Sequence, residues 1–152
     1  MTAVREMSVQ TCPVRGVQIY EMRRVVDTTR GNLTVGEWGN GLPFLPQRYF
    51  LTYGIPSDQV RGQHAHRLCS QFLVCTHGEC HVMVDDGENS TEFCLNRPTM
   101  GVLVPPMIWA CEHRHSHDSA LLVLASRPYE PEDYIRDYEE FLSMIHRHHP
   151  LS

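Results

Sequence analysis

A chain of 152 residues, 41% hydrophobic and 20% charged, is long enough to bury a real core as a single domain over 1–152, and its composition excludes a disordered or low-complexity protein. The net charge of −5 with His neutral, and arginines that are scattered rather than massed, exclude the basic footprint of a DNA- or RNA-binding surface. No apolar run approaches a membrane span, and the first six residues lack the apolar stretch of a signal peptide. The expectation is therefore a cytoplasmic protein whose six cysteines, which form no C-x-x-C, are reduced and serve as small buried hydrophobes.

Residues 1–15 carry little pattern and are expected to begin disordered. Val17 to Val26 alternates imperfectly and predicts a first strand. Asp27 to Asn32 then turns the chain, since Gly31 and Asn32 tolerate the angles of a tight reversal. A second strand is predicted over Leu33 to Trp38; Pro43 and Pro46 forbid a helix around Phe44. Further strands follow at Arg48 to Tyr53, His64 to His66, Gln71 to Thr76, Cys80 to Val84, Thr91 to Leu95, Met100 to Val104, Ile108 to Glu112 and Ala120 to Ala125, with Asp85-Asp86-Gly87 as a hairpin signal. Short strands punctuated by Gly and Pro predict an all-β sandwich or barrel.

The end of the chain changes period. Tyr134, Ile135, Tyr138, Phe141, Leu142 and Ile145 recur at helical spacing behind Pro131 and predict one amphipathic C-terminal helix over about 131–147. His146, His148 and His149 read as its cationic end, favoured by the helix dipole, rather than as a metal tract.

The segment Gly62-Gln-His64-Ala-His66 carries the chemistry. Residues two apart in a strand share a face, so His64 and His66 stand about 7 Å apart on one side. Gly62, His64, His66, Gln71 and Gly78 follow the spacing of the first cupin-barrel motif, with Gln71 where metal-binding cupins carry Glu. In the second motif region, Gly101 to Ala110, Met107 and Ala110 stand where Gly and His are usual. Two of four customary ligands are missing, so no metal and no other cofactor is expected, and the histidines read as proton carriers. Arg30, Arg48 and Arg61 lie at or beside strand ends and turns; their planar forks suit phosphate oxygens.

Between Val25 and Phe141 the chain resembles the TDP-4-oxo-6-deoxy-D-glucose 3,4-ketoisomerases, cupin sugar-nucleotide isomerases. The resemblance rests on Arg30-Gly31-x-Leu33, Leu42-Pro43-Phe44, Arg48, Arg61-Gly62-x-His64-Ala65-His66, Gln71, Asp85-Asp86-Gly87, Val104-Pro105-Pro106-Met107-Ile108-Trp109, Leu122 to Ser126 and Asp133-Tyr134-Ile135-Arg136-Asp137-Tyr138. It implies a cupin-type jelly roll, a homodimer that exchanges its N-terminal strand, and a dTDP-linked keto-deoxysugar as substrate. It makes His66 the base that removes the C-3 hydrogen of a 4-ketosugar. His64 and a hydroxyl such as Tyr53 then shuttle protons or stabilise the oxyanion, Gln71 holds an imidazole or a sugar hydroxyl, and Trp109 forms a flat apolar wall. The chain departs from the family pattern at Ala110, where His or Arg is frequent, and at Asp27, which stands three rather than two residues before Arg30. A sugar-nucleotide 3,5-epimerase and a non-catalytic sugar-nucleotide binding module are the competing readings; a metal-dependent cupin oxygenase ranks last.

Overall fold

The computed structural model describes residues 1–148. In chain order its strands are β1 (Thr2–Arg5), β2 (Ser8–Thr11), β3 (Gln18–Glu21), β4 (Arg23–Asp27), β5 (Leu33–Val35), β6 (Glu37–Trp38), β7 (Gly41–Leu42), β8 (Arg48–Tyr53), β9 (Arg61–His66), β10 (Gln71–His77), β11 (Cys80–Asp85), β12 (Ser90–Leu95), β13 (Met100–Val104), β14 (Trp109–His113), β15 (Ala120–Ala125) and β16 (Tyr134–Ile135), followed by one helix, α1 (Tyr138–His148). A six-stranded sheet in the order β2-β3-β13-β10-β15-β8 faces a five-stranded sheet in the order β12-β11-β14-β9-β16. This is the expected all-β jelly roll of cupin type, with its C-terminal helix outside.

Strand alternation builds the core. Leu73, Cys75, Val102, Val104, Leu121 and Val123 of one sheet meet Cys80, Val82, Val84, Leu95 and Ala110 of the other, all buried. Burying side chains of this size contributes about 1.5–3 kcal/mol each for the larger ones. The opposite faces are covered too. Phe72 and Val74 pack outward under Tyr20 and Met22, and the Phe72 ring occupies the space a side chain at Gly101 would need, so only glycine fits there. Across the molecule, Ala65, Trp109 and Ile135 of the five-stranded sheet pack against Phe141 and Ile145 of α1.

Three expectations are corrected. Residues 1–15 are not without structure: β1 pairs with β4 and β2 with β3. All eight residues of β1 and β2 are exposed, so no apolar alternation marks them, and the main-chain ladder alone makes them strands. The helix begins at Tyr138 rather than near 131. Pro131–Asp133 forms one turn of 3₁₀-helix and Tyr134–Ile135 pairs with His66 and Ala65 of β9. Asp137 then caps α1 by accepting the N–H of Glu140 at 2.9 Å. Free hydrogen-bonding groups on β9 outcompete the helical period of 134–138. Val17 to Val26 is also two strands rather than one, with the Met22 N–H between them donated to the Thr99 carbonyl. His149 lies outside the described residues.

Candidate active site

The inward faces of β8, β9, β10, β14 and β15 converge with β16 on a cavity of about 350 Å³. β8 contributes Arg48, Phe50 and Thr52; β9 contributes Arg61, Gly62 and His64; Gln71, Glu112, Tyr129, Tyr134 and Arg136 complete the polar lining. Strict alternation from His66 and His64 would send Arg61 outward. A bulge prevents this: Ala110 pairs with His64 but Cys111 with Gly62, leaving Gln63 as the extra residue. Gly62 and Gln63 both take positive φ, 82° and 56°. The bulge re-aims Arg61 so that it lines the cavity opposite Glu112 in the strand register.

His66 sits at the end of β9, 6% exposed, with Nδ1 3.0 Å from Asp133 Oδ2. A carboxylate only accepts, so the proton is on Nδ1 and the Nε2 lone pair is free. Nε2 is buried and has no partner. Asp133 is itself held: its oxygens accept the N–H groups of Leu68 at 2.7 Å and Cys69 at 3.3 Å. Burial works against its charge, but those N–H groups and His66 outweigh that and keep its carboxyl below the usual range. Burial, set against the Asp133 contact and joined by the charges of Arg48 and Arg136, lowers the His66 pKa. The ring is thus a neutral base with one buried, unshared lone pair.

His64 stands beside it, ring centroids 4.9 Å apart and nearly perpendicular. Burial, then the neighbouring His66, pulls its pKa down to about 4. Tyr134 closes the group at 4.4 Å from His66 and 5.0 Å from His64. Arg136 lies over the Tyr134 ring at 4.3 Å, and Arg48 donates from Nη2 to its hydroxyl at 3.4 Å. Arg48 in turn lies 5.2 Å from the Phe50 ring and 5.4 Å from the Tyr129 ring. Buried polar atoms with no protein partner gather here: Arg48 Nε, Thr52 Oγ1, His64 Nδ1, His66 Nε2 and Gln71 Nε2. Such atoms are rare in a resting core and mark a site built for a polar ligand.

Residues 15–146 match the protein family described as FdtA: WxcM-like, C-terminal. A characterised relative, the TDP-4-oxo-6-deoxy-alpha-D-glucose-3,4-oxoisomerase of Aneurinibacillus thermoaerophilus, is 35% identical over 128 residues, 84% of this chain and 91% of that protein. The chain belongs to this family. A 3,4-ketoisomerase from Helicobacter canadensis superposes with a TM-score of 0.82 at 35% identity, covering 86% of this chain and 97% of that one. A His-to-Asn variant of the 3,4-ketoisomerase from Thermoanaerobacterium thermosaccharolyticum, solved with TDP-4-keto-6-deoxyglucose, superposes with a TM-score of 0.86 at 25% identity, covering 91% and 99%.

Of the site residues expected for a 3,4-ketoisomerase, His64, Arg48, Arg61 and Gln71 line the cavity and His66 lies directly behind them. Three do not come together with them. Tyr53 is the last residue of β8 and, by alternation from Arg48, Phe50 and Thr52, points outward, 71% exposed. Arg30 lies after β4, outside the barrel, its side chain 84% exposed and paired with Asp27 at 3.2 Å. Trp109 is one residue from Ala110 and so faces the other side of the sheet, buried against Tyr138 and Phe141. The hydroxyl packed against both imidazoles is that of Tyr134, with Thr52 and Tyr129 also in the lining. Tyr134, Asp133 and Arg136 do not stand out as site residues in the sequence because their segment carries a helical period; their signal is the Asp-Tyr-Ile-Arg-Asp-Tyr element of the resemblance. Glu112 carries no such signal, standing at the predicted end of its strand.

Among the described residues, one group of three metal-capable side chains lies within ligating distance: His66, Cys69 and Asp133, whose donor atoms are all within 4.8 Å of one another. The Asp133 oxygens already take two backbone N–H groups and the imidazole, and the Cys69 thiol donates to the Ser70 carbonyl at 3.3 Å. The donor set is spent on internal hydrogen bonds, and its geometry is that of a carboxylate positioning a histidine.

Proposed function

We propose that the protein converts a dTDP-4-keto-6-deoxyhexose into the dTDP-3-keto isomer by moving a proton between C-3 and C-4. The observation that carries this reading is the His66 imidazole, its Nδ1 held by Asp133 and its Nε2 free beside His64 and Tyr134. The C-4 carbonyl acidifies the C-3 hydrogen; His66 Nε2 takes it, and the electrons of that bond form the C-3–C-4 double bond. His64, neutral above about pH 4, and the Tyr134 hydroxyl offer hydrogen bonds to the oxygen on which charge develops. Return of the carbon proton to C-4 leaves the ketone at C-3. Arg48 and Arg61 supply the cations for the diphosphate, with Arg136 beside them.

A homodimer with an exchanged N-terminal strand fits the same reading. β1, β4 and β5 form a small sheet of their own outside both large sheets. Leu33, Trp38, Tyr49, Leu51 and Tyr53 are left exposed, a load of apolar surface that a second copy would cover. The six cysteines are free, in keeping with work in the reducing cytoplasm. The deciding experiment is incubation with dTDP-4-keto-6-deoxyglucose in D₂O, followed by NMR. A 3-keto product with deuterium at the reacting carbons supports isomerisation. Deuterium at C-3 and C-5 without a 3-keto product would make the protein an epimerase, and tight binding with no exchange would make it a binding module.

A further inference from the structure

The isomerisation needs two kinds of proton moved, one on carbon and one on oxygen, and the histidine pair accounts for the first. Glu112 is the remaining titratable side chain in the lining with an acid's chemistry. It stands on β14 two residues beyond Ala110, so both face the cavity, and the methyl of Ala110 leaves the space beside His64 open. The bulge at Gly62 and Gln63 makes its seat: a side chain at Gly62 would come within 2.5 Å of Glu112 Oε2, and glycine there leaves the carboxyl in place. Arg61 is its register partner, yet among the described residues no ion pair or side-chain hydrogen bond takes up its carboxyl. The group is packed at the cavity and unspent.

We propose that Glu112 is the second proton carrier of this pocket, moving the oxygen-bound proton between O-4 and O-3 while His66 moves the carbon-bound one. This rests on the isomerase reading above. In the first half-reaction His66 takes the C-3 proton, the double bond forms between C-3 and C-4, and the Glu112 carboxylic acid gives its proton to O-4. In the second, the Glu112 carboxylate takes the proton of O-3, the C-3 carbonyl forms, and the imidazolium returns its proton to C-4. Both groups end as they began, and no oxidant or co-reactant is consumed.

The acid has to be protonated when substrate arrives. Burial, against the opposing charge of Arg61, pushes the Glu112 carboxyl up to about 7. The charged and titratable groups around it are Arg61 and His64 from β9, Cys111 on its own strand, Cys80 from β11, the buried ring of His115 after β14, and Arg136 after β16.

The test compares Glu112→Gln with the unaltered protein on dTDP-4-keto-6-deoxyglucose in D₂O, across pH 5.5 to 9. The Gln amide still donates to O-4 but cannot take the O-3 proton. Turnover should fall about 10²-fold, exchange at C-3 should persist, and the ionisation near pH 7 should vanish from the pH profile. Glu112→Asp, which keeps the acid on a shorter stem, should restore part of the rate together with that ionisation. Turnover and pH profile within twofold of the unaltered protein in Glu112→Gln would overturn the proposal and leave the isomerase reading intact. An unaltered protein that makes no 3-keto product would overturn both.

Discussion

The two faces of the five-stranded sheet follow opposite rules. On the convex face Ala65, Trp109 and Ile135 are buried against Phe141 and Ile145, an apolar contact in which each side chain is satisfied by packing alone. On the concave face, from the same strands, half-buried His64 and buried His66 each have a buried ring nitrogen with no partner, as does the Gln71 amide across the cavity. Each such atom costs about 1–3 kcal/mol until something fills the site. The convex face therefore stabilises the barrel and the concave face spends part of that stability on readiness for a ligand. One residue of strand separates the two outcomes.

The largest expected effect tests the concave face. His66→Asn keeps size and polarity but loses the base, so turnover should drop by about 10²- to 10⁴-fold and deuterium wash-in at C-3 should cease, with the melting temperature little changed. Full turnover in this variant would break the concave-face assignment. The matching change on the convex face is Trp109→Ala, expected to lower stability by about 3–5 kcal/mol in denaturant titration while the folded fraction keeps its specific activity. A tenfold loss of activity per folded molecule would mean that Trp109 reaches the substrate after all.

Asp133→Asn sharpens the comparison at the seam between the faces. The amide can still accept the Leu68 N–H, but it can present N–H to His66 Nδ1 and favour the wrong tautomer. Turnover should fall about 10²-fold with nucleotide affinity unchanged by calorimetry. Lost affinity would instead make Asp133 part of the binding surface.

A smaller effect follows from His64. Its folded pKa is depressed to about 4, below the ~6.5 of an unfolded histidine. Between those values the unfolded chain binds a proton that the folded one does not, so stability should fall as pH drops from about 6.5 to 4. His64→Gln should flatten this part of the stability profile. An unchanged slope would place the titration elsewhere. The smallest effect belongs to Tyr53, on the outward face of β8: Tyr53→Phe should leave turnover within about twofold and stability within about 0.5 kcal/mol.

Much of the fold is legible in the residues because it follows local rules. Arg48 to Tyr53, Met100 to Val104 and Ala120 to Ala125 are strands with the predicted bounds: the first two are rich in aromatic or β-branched residues and stop at Gly54 and Pro105, and the third is a short apolar run between Ser119 and Ser126. His64 and His66 share a face for the same reason: the period of a strand is two. What escapes is parity and long-range pairing. The resemblance puts Tyr53 and Trp109 in the site, yet each lies one residue off the inward face.

By itself, the sequence determined the jelly roll, the paired histidines and the family, because each is written in local period, spacing or motif. Only the tertiary structure decided that Pro131 to Ile135 leaves the helix to complete β9, that Asp133 thereby reaches His66 from 67 residues away, and that a bulge opposite Cys111 turns Arg61 toward the cavity beside Glu112. These depend on which strand edge has free N–H and C=O groups when the barrel closes, and no local pattern records that.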